Sequence, residues 1–211
     1  MYIQQSDGNL IIIVLYVDDL LITGSTISSI SAIKTALHNA FEMSDLGLLK
    51  QFLGLEIEQN SDGIMVTQSK YISDLLVKFN MAECRLAPFP FLSEINLEEG
   101  KITPPMDCTI YQHLIGSFIY LTHSRPDICY AMNDVSRYMQ QPHDIHWKEA
   151  KRILQYIQGT RTYDIHYAAD SELELVGYID SDWVGDSIDR KSTYGYVFMF
   201  CSGPIFWSSK K

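Results

Sequence analysis

Apolar positions recur along the chain with two different periods, and each change of period marks a new element. Residues 10–17 form the longest apolar run, rich in Ile and Val, and after Asp18 and Asp19 the apolar character resumes over 20–22 before Thr23-Gly24-Ser25. This is the pattern of a tight β-hairpin with a buried first strand and both aspartates at its tip. From Ser28 onward, Ile30, Ile33, Leu37, Ala40 and Phe41 recur at helical spacing, which predicts a packed amphipathic helix. Leu53, Leu55 and Ile57 alternate with Gly54, Glu56 and Glu58, and Ser61-Asp62-Gly63 turns the chain into a strand over 64–67. Ser69 is placed to cap a helix whose core side is Tyr71, Ile72, Leu75, Leu76 and Phe79.

Residues 87–105 hold four prolines, several acids and Gly100, the composition of a linker. A helical block follows. Tyr111, Leu114, Ile115, Phe118 and Ile119 form one stripe, Pro126 opens a second helix continued by Ala131, Val135 and Tyr138, and Trp147, Ala150, Leu154 and Ile157 mark a third. After Gly159 strands return over 165–168, 173–179, 194–201 and 205–207. The order of elements gives an α+β chain without internal repeats.

Composition narrows the class. At 211 residues with 46% hydrophobic and 20% charged positions, the chain is long enough to bury a core without disulfide or metal support. Cys84, Cys108, Cys129 and Cys201 are widely spaced, which signals neither a zinc cluster nor a disulfide framework and suits a reducing, intracellular setting. The apolar run is broken by Asp18-Asp19 before it reaches bilayer length, so no membrane partner is expected. Net charge −10 argues on its face against nucleic acid. The acidity is uneven, however. Residues 1–100 hold 5 basic and 13 acidic side chains, whereas 101–165 hold 7 and 6, with Lys148, Lys151 and Arg152 on one helix face that can meet phosphates or simply be solvated.

Adjacent carboxylates at the end of a rigid strand are suited to holding divalent cations, and two such ions clamp the attacking and leaving oxygens in phosphoryl transfer. Asp also favours turns in its own right. The flanking residues decide between these readings. Leu15-Tyr16-Val17-Asp18-Asp19-Leu20-Leu21-Ile22-Thr23-Gly24 resembles the palm hairpin of copia-type LTR retrotransposon reverse transcriptases. Phe52-Leu53-Gly54-Leu55-Glu56-Ile57, Thr122-His123-Ser124-Arg125-Pro126-Asp127-Ile128 and Lys151-Arg152-Ile153-Leu154-Gln155-Tyr156-Ile157 resemble the same family in the same order. Gly177-Tyr178-Ile179-Asp180-Ser181-Asp182-Trp183 and Ile205-Phe206-Trp207-Ser208-Ser209-Lys210-Lys211 resemble the opening of its RNase H domain.

The resemblance implies a partial palm over residues 1–67, a helix and linker over 68–105, a helical thumb-like region over 106–160, and the first part of an RNase H-like sheet over 161–211. It makes Asp18 the palm carboxylate that binds catalytic Mg2+ or Mn2+, with Asp19 in support and Tyr16 near the primer end. Phe52, Leu53 and Gly54 fall on the hairpin that grips the primer. Gln112, Gly116 and Tyr120 lie four apart on one helix face. They are similar to the thumb helix that tracks the minor groove of the template–primer duplex, Gly116 permitting close approach; Gly116 as a helix-packing position and Tyr120 as core stand as the alternative. Asp180 matches the first carboxylate of the RNase H metal site, with Asp182 on the same strand face and Trp183 structural.

The family's remaining palm aspartate and fingers lie upstream of this hairpin, and its other RNase H carboxylates lie downstream. The expectation is therefore that the chain alone has neither polymerase nor RNase H activity, and that its partners are an RNA/DNA template–primer duplex and the missing parts of the Pol polyprotein. A non-enzymatic remnant or domesticated protein, binding nucleic acid or a protein through the thumb helices, is the alternative.

Overall fold

Strand-forming residues at the start of the chain pair into an antiparallel meander. The computed structural model describes residues 1–6, 8–92, 97, 102–181 and 192–210. They divide into two compact units, Met1–Leu49 and Lys50–Lys211. In the first, β1 (Tyr2–Ser6), β2 (Asn9–Tyr16) and β3 (Asp19–Gly24) form one sheet in that order. Sequence pattern missed β1, whose Gln4-Gln5 pair hides any alternation. The helix α1 (Ile27–Ala40) is capped by the Thr26 hydroxyl, which accepts from the Ser29 N–H. Two expectations need correction here. Only Ile11 of β2 is buried, and α1 buries no residue at all, because Ile30, Ile33 and Leu37 are only half covered by the edge of a small sheet.

The second unit holds a four-stranded antiparallel sheet in the order β4-β5-β6-β7, from β4 (Gln51–Phe52), β5 (Leu55–Asn60), β6 (Gly63–Thr67) and β7 (Ile165–Ala168). Leu53 and Gly54, expected inside a single alternating strand, instead form a two-residue turn between β4 and β5, with φ of 51° and 80°. Both central residues at positive φ match the turn whose twist suits a hairpin. Since β6 pairs with β7, the expected block of residues 1–67 straddles both units. A second sheet in the order β10-β9-β8 is built from β8 (Leu175–Ser181), β9 (Tyr194–Phe200) and β10 (Gly203–Lys210).

Four helices make the core: α2 (Ser69–Lys78), α3 (Cys108–Leu121), α4 (Cys129–Ser136) and α5 (Asp144–Gly159), with a 3-10 turn at Pro126–Ile128 before α4. Ile72, Leu76, Leu114, Ile115, Phe118, Leu121, Ile153, Leu154 and Ile157 are almost wholly buried between them. Burial of this kind contributes about 25 cal/mol per Å2 of apolar surface, which summed over these side chains far exceeds any single polar contact here. Ile119, expected in the stripe, is 45% exposed, whereas Leu121 takes its place. Ser69 is the first residue of α2 and does not cap it. Gln68 holds the cap position, and the Glu56 carboxylate on β5 accepts from the Lys70 N–H instead, at 2.8 Å.

The linker expected over 87–105 is packed where it is described. Ala87 is buried and its N–H donates to the Gln155 carbonyl on α5, and Phe91 meets the Tyr130 ring edge-on. Buried His146 accepts the His143 N–H at Nδ1 and faces the Leu97 carbonyl with Nε2, so the neutral Nε2–H tautomer satisfies both partners. At the other end of the expected linker, Pro105 forms an antiparallel bridge with His143.

Candidate nucleic-acid interface

In the first unit, β2 and β3 close on the pair Tyr16 and Asp19, leaving Val17 and Asp18 as the turn. Val17 has φ of 51°, a left-handed conformation that a β-branched residue adopts only under constraint. Its side chain gains nothing from burial, being 77% exposed. Tyr16, Asp18 and Asp19 are exposed beside it. The two carboxylates supply the hard oxygen donors that Mg2+ or Mn2+ takes, and so fit such an ion as part of its ligand set. Among the described residues no group of three or more His, Cys, Asp or Glu side chains converges to hold a metal.

In the second unit the structure joins two of the segments marked in the sequence. The Tyr120 hydroxyl on α3 donates to the Leu53 carbonyl at 2.9 Å, tying the helix to the turn after Phe52. Gly54 is required twice over. Its φ is positive, and a Cβ there would run into the Tyr120 hydroxyl oxygen. Tyr120 is itself held in place: the Tyr71 ring packs against it edge-on at 4.7 Å, and the buried Gln68 amide, fixed by Ser124, reaches its carbonyl. His123 sets its Nδ1 on the same carbonyl at 2.8 Å. In the sequence Tyr71 is marked as a core position of its helix and His123 as part of the family-like segment 122–128, neither with a role at this site.

Gln112 and Gly116 are exposed on the helix face that carries the half-buried Tyr120. A side chain added at Gly116 would meet nothing within 4 Å, so this glycine does not serve helix packing. The Gln112 amide nitrogen donates to the Met139 carbonyl at 2.9 Å and to the Cys108 thiol at 3.0 Å.

The three cations of α5 are all engaged along their own helix. Lys148 pairs with Asp144 at 2.7 Å, Lys151 lies over the Trp147 ring at 5.2 Å, and Arg152 approaches Glu149 at 3.7 Å. Burial raises the Glu149 carboxyl above its usual range, partly opposed by Arg152 and reinforced by Asp134. Asp180 lies exposed on β8, paired across to Gly195. Asp182 and Trp183 lie outside the described residues.

Arg125 falls within the family-like segment 122–128, and its role emerges only from its contacts. It is 2% exposed, and its guanidinium grips both Asp127 oxygens and both oxygens of Thr160 at the end of α5. The Tyr156 and Tyr163 rings flank it at 5.7 and 5.5 Å. Burial, then the hydrogen bond to Asp127, pushes the Tyr156 hydroxyl up to about 12. This cluster closes α5 onto the start of α4, with Arg125 itself buried and Tyr163 at the surface. A groove of about 420 Å3 runs from Thr122, His123 and Cys129 to Trp207 and Ser209 on β10, where the indole N–H donates to the Thr122 carbonyl. Burial raises the Cys129 thiol to about 11, which makes it inert rather than nucleophilic.

Comparison with known proteins matches residues 1–93 to the family model described as reverse transcriptase (RNA-dependent DNA polymerase). The whole chain aligns at 36% identity with the retrovirus-related Pol polyprotein from transposon RE2 of Arabidopsis thaliana, covering 14% of that protein. Over 97% of its length it is 38% identical to the Pol polyprotein from transposon TNT 1-94 of Nicotiana tabacum, covering 16% of it. An uncharacterized mitochondrial protein of Arabidopsis thaliana is 33% identical, with 82% of its length covered. No solved structure matches the chain.

Proposed function

This chain belongs to the copia-type retrotransposon reverse transcriptase family, and we propose that it carries the Asp18 hairpin of that polymerase together with the surface that seats the template–primer duplex. In this reading β2–β3 is the palm hairpin, β4–β5 grips the primer, α3 to α5 form the thumb, and β8–β10 begin the RNase H sheet with Asp180 as its first carboxylate. The observation that carries it is the Tyr120–Leu53 hydrogen bond. It ties the turn expected to grip the primer to the helix expected to follow the duplex, two segments marked separately in the sequence.

Each residue then has a physical task. Asp18, with Asp19, would hold Mg2+ or Mn2+, which supplies charge stabilisation to the oxygens of a phosphoryl transfer. Tyr16 lies against the primer end, and the strained Val17 turn keeps the carboxylates forward of the sheet. Phe52, Leu53 and Gly54 bear on the primer backbone, with Tyr120 fixing their turn. Gly116 leaves the α3 surface open to close approach, between Gln112 and Tyr120. Lys148, Lys151 and Arg152 face phosphates; the exposed Lys148–Asp144 pair is worth little in water, so exchanging it for a phosphate contact costs little. The relatives named above do not favour the non-enzymatic alternative.

The test is fluorescence anisotropy of a labelled RNA/DNA hybrid with the full chain. Binding is expected at low salt and falls steeply as salt rises. Gly116→Leu fits open space and favours the helix, so the variant folds, yet it blocks the α3 face and is expected to abolish most binding. Equal binding by Gly116→Leu and the parent chain would sink the reading.

A further inference from the structure

The row Gln112, Gly116, Tyr120 and His123 has its side-chain hydrogens already committed, and this determines what it offers a ligand. Both amide hydrogens of Gln112 point at protein acceptors, the Met139 carbonyl and the Cys108 sulfur. A flipped amide would set oxygen against the Met139 oxygen, so the nitrogen must face inward. Oε1 is left outward, and among the described residues nothing donates to it. The one hydroxyl hydrogen of Tyr120 goes to Leu53, leaving lone pairs on its oxygen. Because a carbonyl only accepts, His123 donates through Nδ1 to the Tyr120 carbonyl, and in that tautomer Nε2 is an acceptor. Gly116 has no side chain. At 1.5 Å rise per residue, Gln112 and Tyr120 stand about 12 Å apart on one open face.

We infer that this row is an acceptor-only track, selective for duplexes whose minor groove presents hydrogen-bond donors. The inference rests on the reading that α3 faces the minor groove. There, adenine N3 and thymine O2 are acceptors and meet the track unfavourably. Donors come from two sources alone, the 2-amino group of guanine and the 2′-hydroxyl of a ribose strand. An RNA/DNA hybrid carries the second along one whole strand. A·T-rich DNA carries neither, and pays desolvation of its acceptors for no bond in return. Gln112, Tyr120 and His123 would thus set duplex specificity through acceptors, while phosphate contacts set affinity without it.

The experiment compares full-chain binding to length-matched duplexes in mildly alkaline buffer, where imidazole is neutral. The parent duplex is an RNA/DNA hybrid. In one arm its RNA strand is 2′-fluoro, which keeps A-form shape and removes the hydroxyl hydrogen. In the other, hypoxanthine replaces guanine and removes the 2-amino group. Weakening of roughly threefold to tenfold is expected in at least one arm, and the arm that weakens identifies the source. Gln112→Leu, at an exposed position, is expected to shrink that difference. Equal binding in both arms, stronger binding to A·T-rich DNA, or a difference unchanged in Gln112→Leu would overturn the inference. If the equal binding is still abolished by Gly116→Leu, the duplex reading stands and only the donor selectivity falls. If no duplex binds, both fall together.

Discussion

The Tyr120 hydroxyl meets the Leu53 carbonyl at 2.9 Å across 67 residues of chain. A turn with two positive φ values is thereby held from outside the hairpin, and the turn residue behind it must be glycine. Gly54→Ala brings both a left-handed alanine and a collision with Tyr120, and a loss of roughly 2–3 kcal/mol is expected. Tyr120→Phe alone removes one hydrogen bond, at about 1 kcal/mol, while keeping the Tyr71 contact. Because the phenylalanine also removes the colliding oxygen, the double variant is expected to be less destabilised than the two single losses summed. Urea unfolding of the four proteins measures this coupling, and strict additivity would refute it.

Arg125 carries the next prediction. Its buried guanidinium satisfies Asp127 and Thr160 together, so Arg125→Met leaves the Asp127 carboxylate with only the Tyr156 hydroxyl and takes the guanidinium donor from the Thr160 carbonyl at the end of the helix. Breaking such a pair from one side costs about 3–5 kcal/mol. Thermal unfolding is expected to drop by on the order of 10 °C, and Arg125→Lys should rescue little, because one ammonium cannot reproduce a fork between two acceptor pairs. A melting temperature in Arg125→Lys equal to that of the parent would contradict this.

These two contacts also show where sequence reading stops. The helices were legible because Tyr111, Leu114, Ile115 and Phe118 repeat at a period only a helix satisfies. The Leu53-Gly54 turn was not, since Leu53, Leu55 and Ile57 alternate as a strand would and leucine is no turn former. Nor was β1, where Gln4 and Gln5 sit side by side at a sheet edge. Asp18 at a hairpin tip was read correctly from local pattern, but the partner of Tyr120 lies on a distant segment and no local period encodes it. The partners of Lys148, Lys151 and Arg152 do stand in the sequence, since Asp144, Trp147 and Glu149 precede them by four, four and three residues, the spacing of neighbours on one helix face.

Glu149 gives a pH prediction with a definite sign. Its side chain is buried, and its Oε2 has the Arg152 guanidinium at 3.7 Å but no hydrogen-bond partner among the described residues. Burial, with Asp134 nearby, raises its folded-state value above the ordinary 4.5. Between these two values the folded chain binds more protons than the unfolded one, so stability falls as pH rises. The contribution is fully present below the ordinary Glu range and lost on passing through the raised value. Urea midpoints across this window are expected to decline in the parent chain relative to Glu149→Gln, which does not titrate. Parallel curves for the two proteins would show that Glu149 is not the source.

Val17 tests whether the hairpin tip is strained for a purpose. A β-branched residue at φ 51° costs roughly 1–2 kcal/mol, and its side chain is 77% exposed, so little packing compensates. Val17→Gly adopts the same backbone without strain but adds chain entropy to the unfolded state, leaving a net stabilisation of up to about 1 kcal/mol. Amide hydrogen exchange along β2 and β3 is expected to slow accordingly. Strain tolerated at a site that gains stability when relieved is the mark of a position held for its geometry. In a complete polymerase carrying this hairpin, the same change should therefore slow primer extension while the protein grows more stable. Faster exchange in Val17→Gly would instead mean that the valine supports the hairpin through contacts its exposure does not suggest.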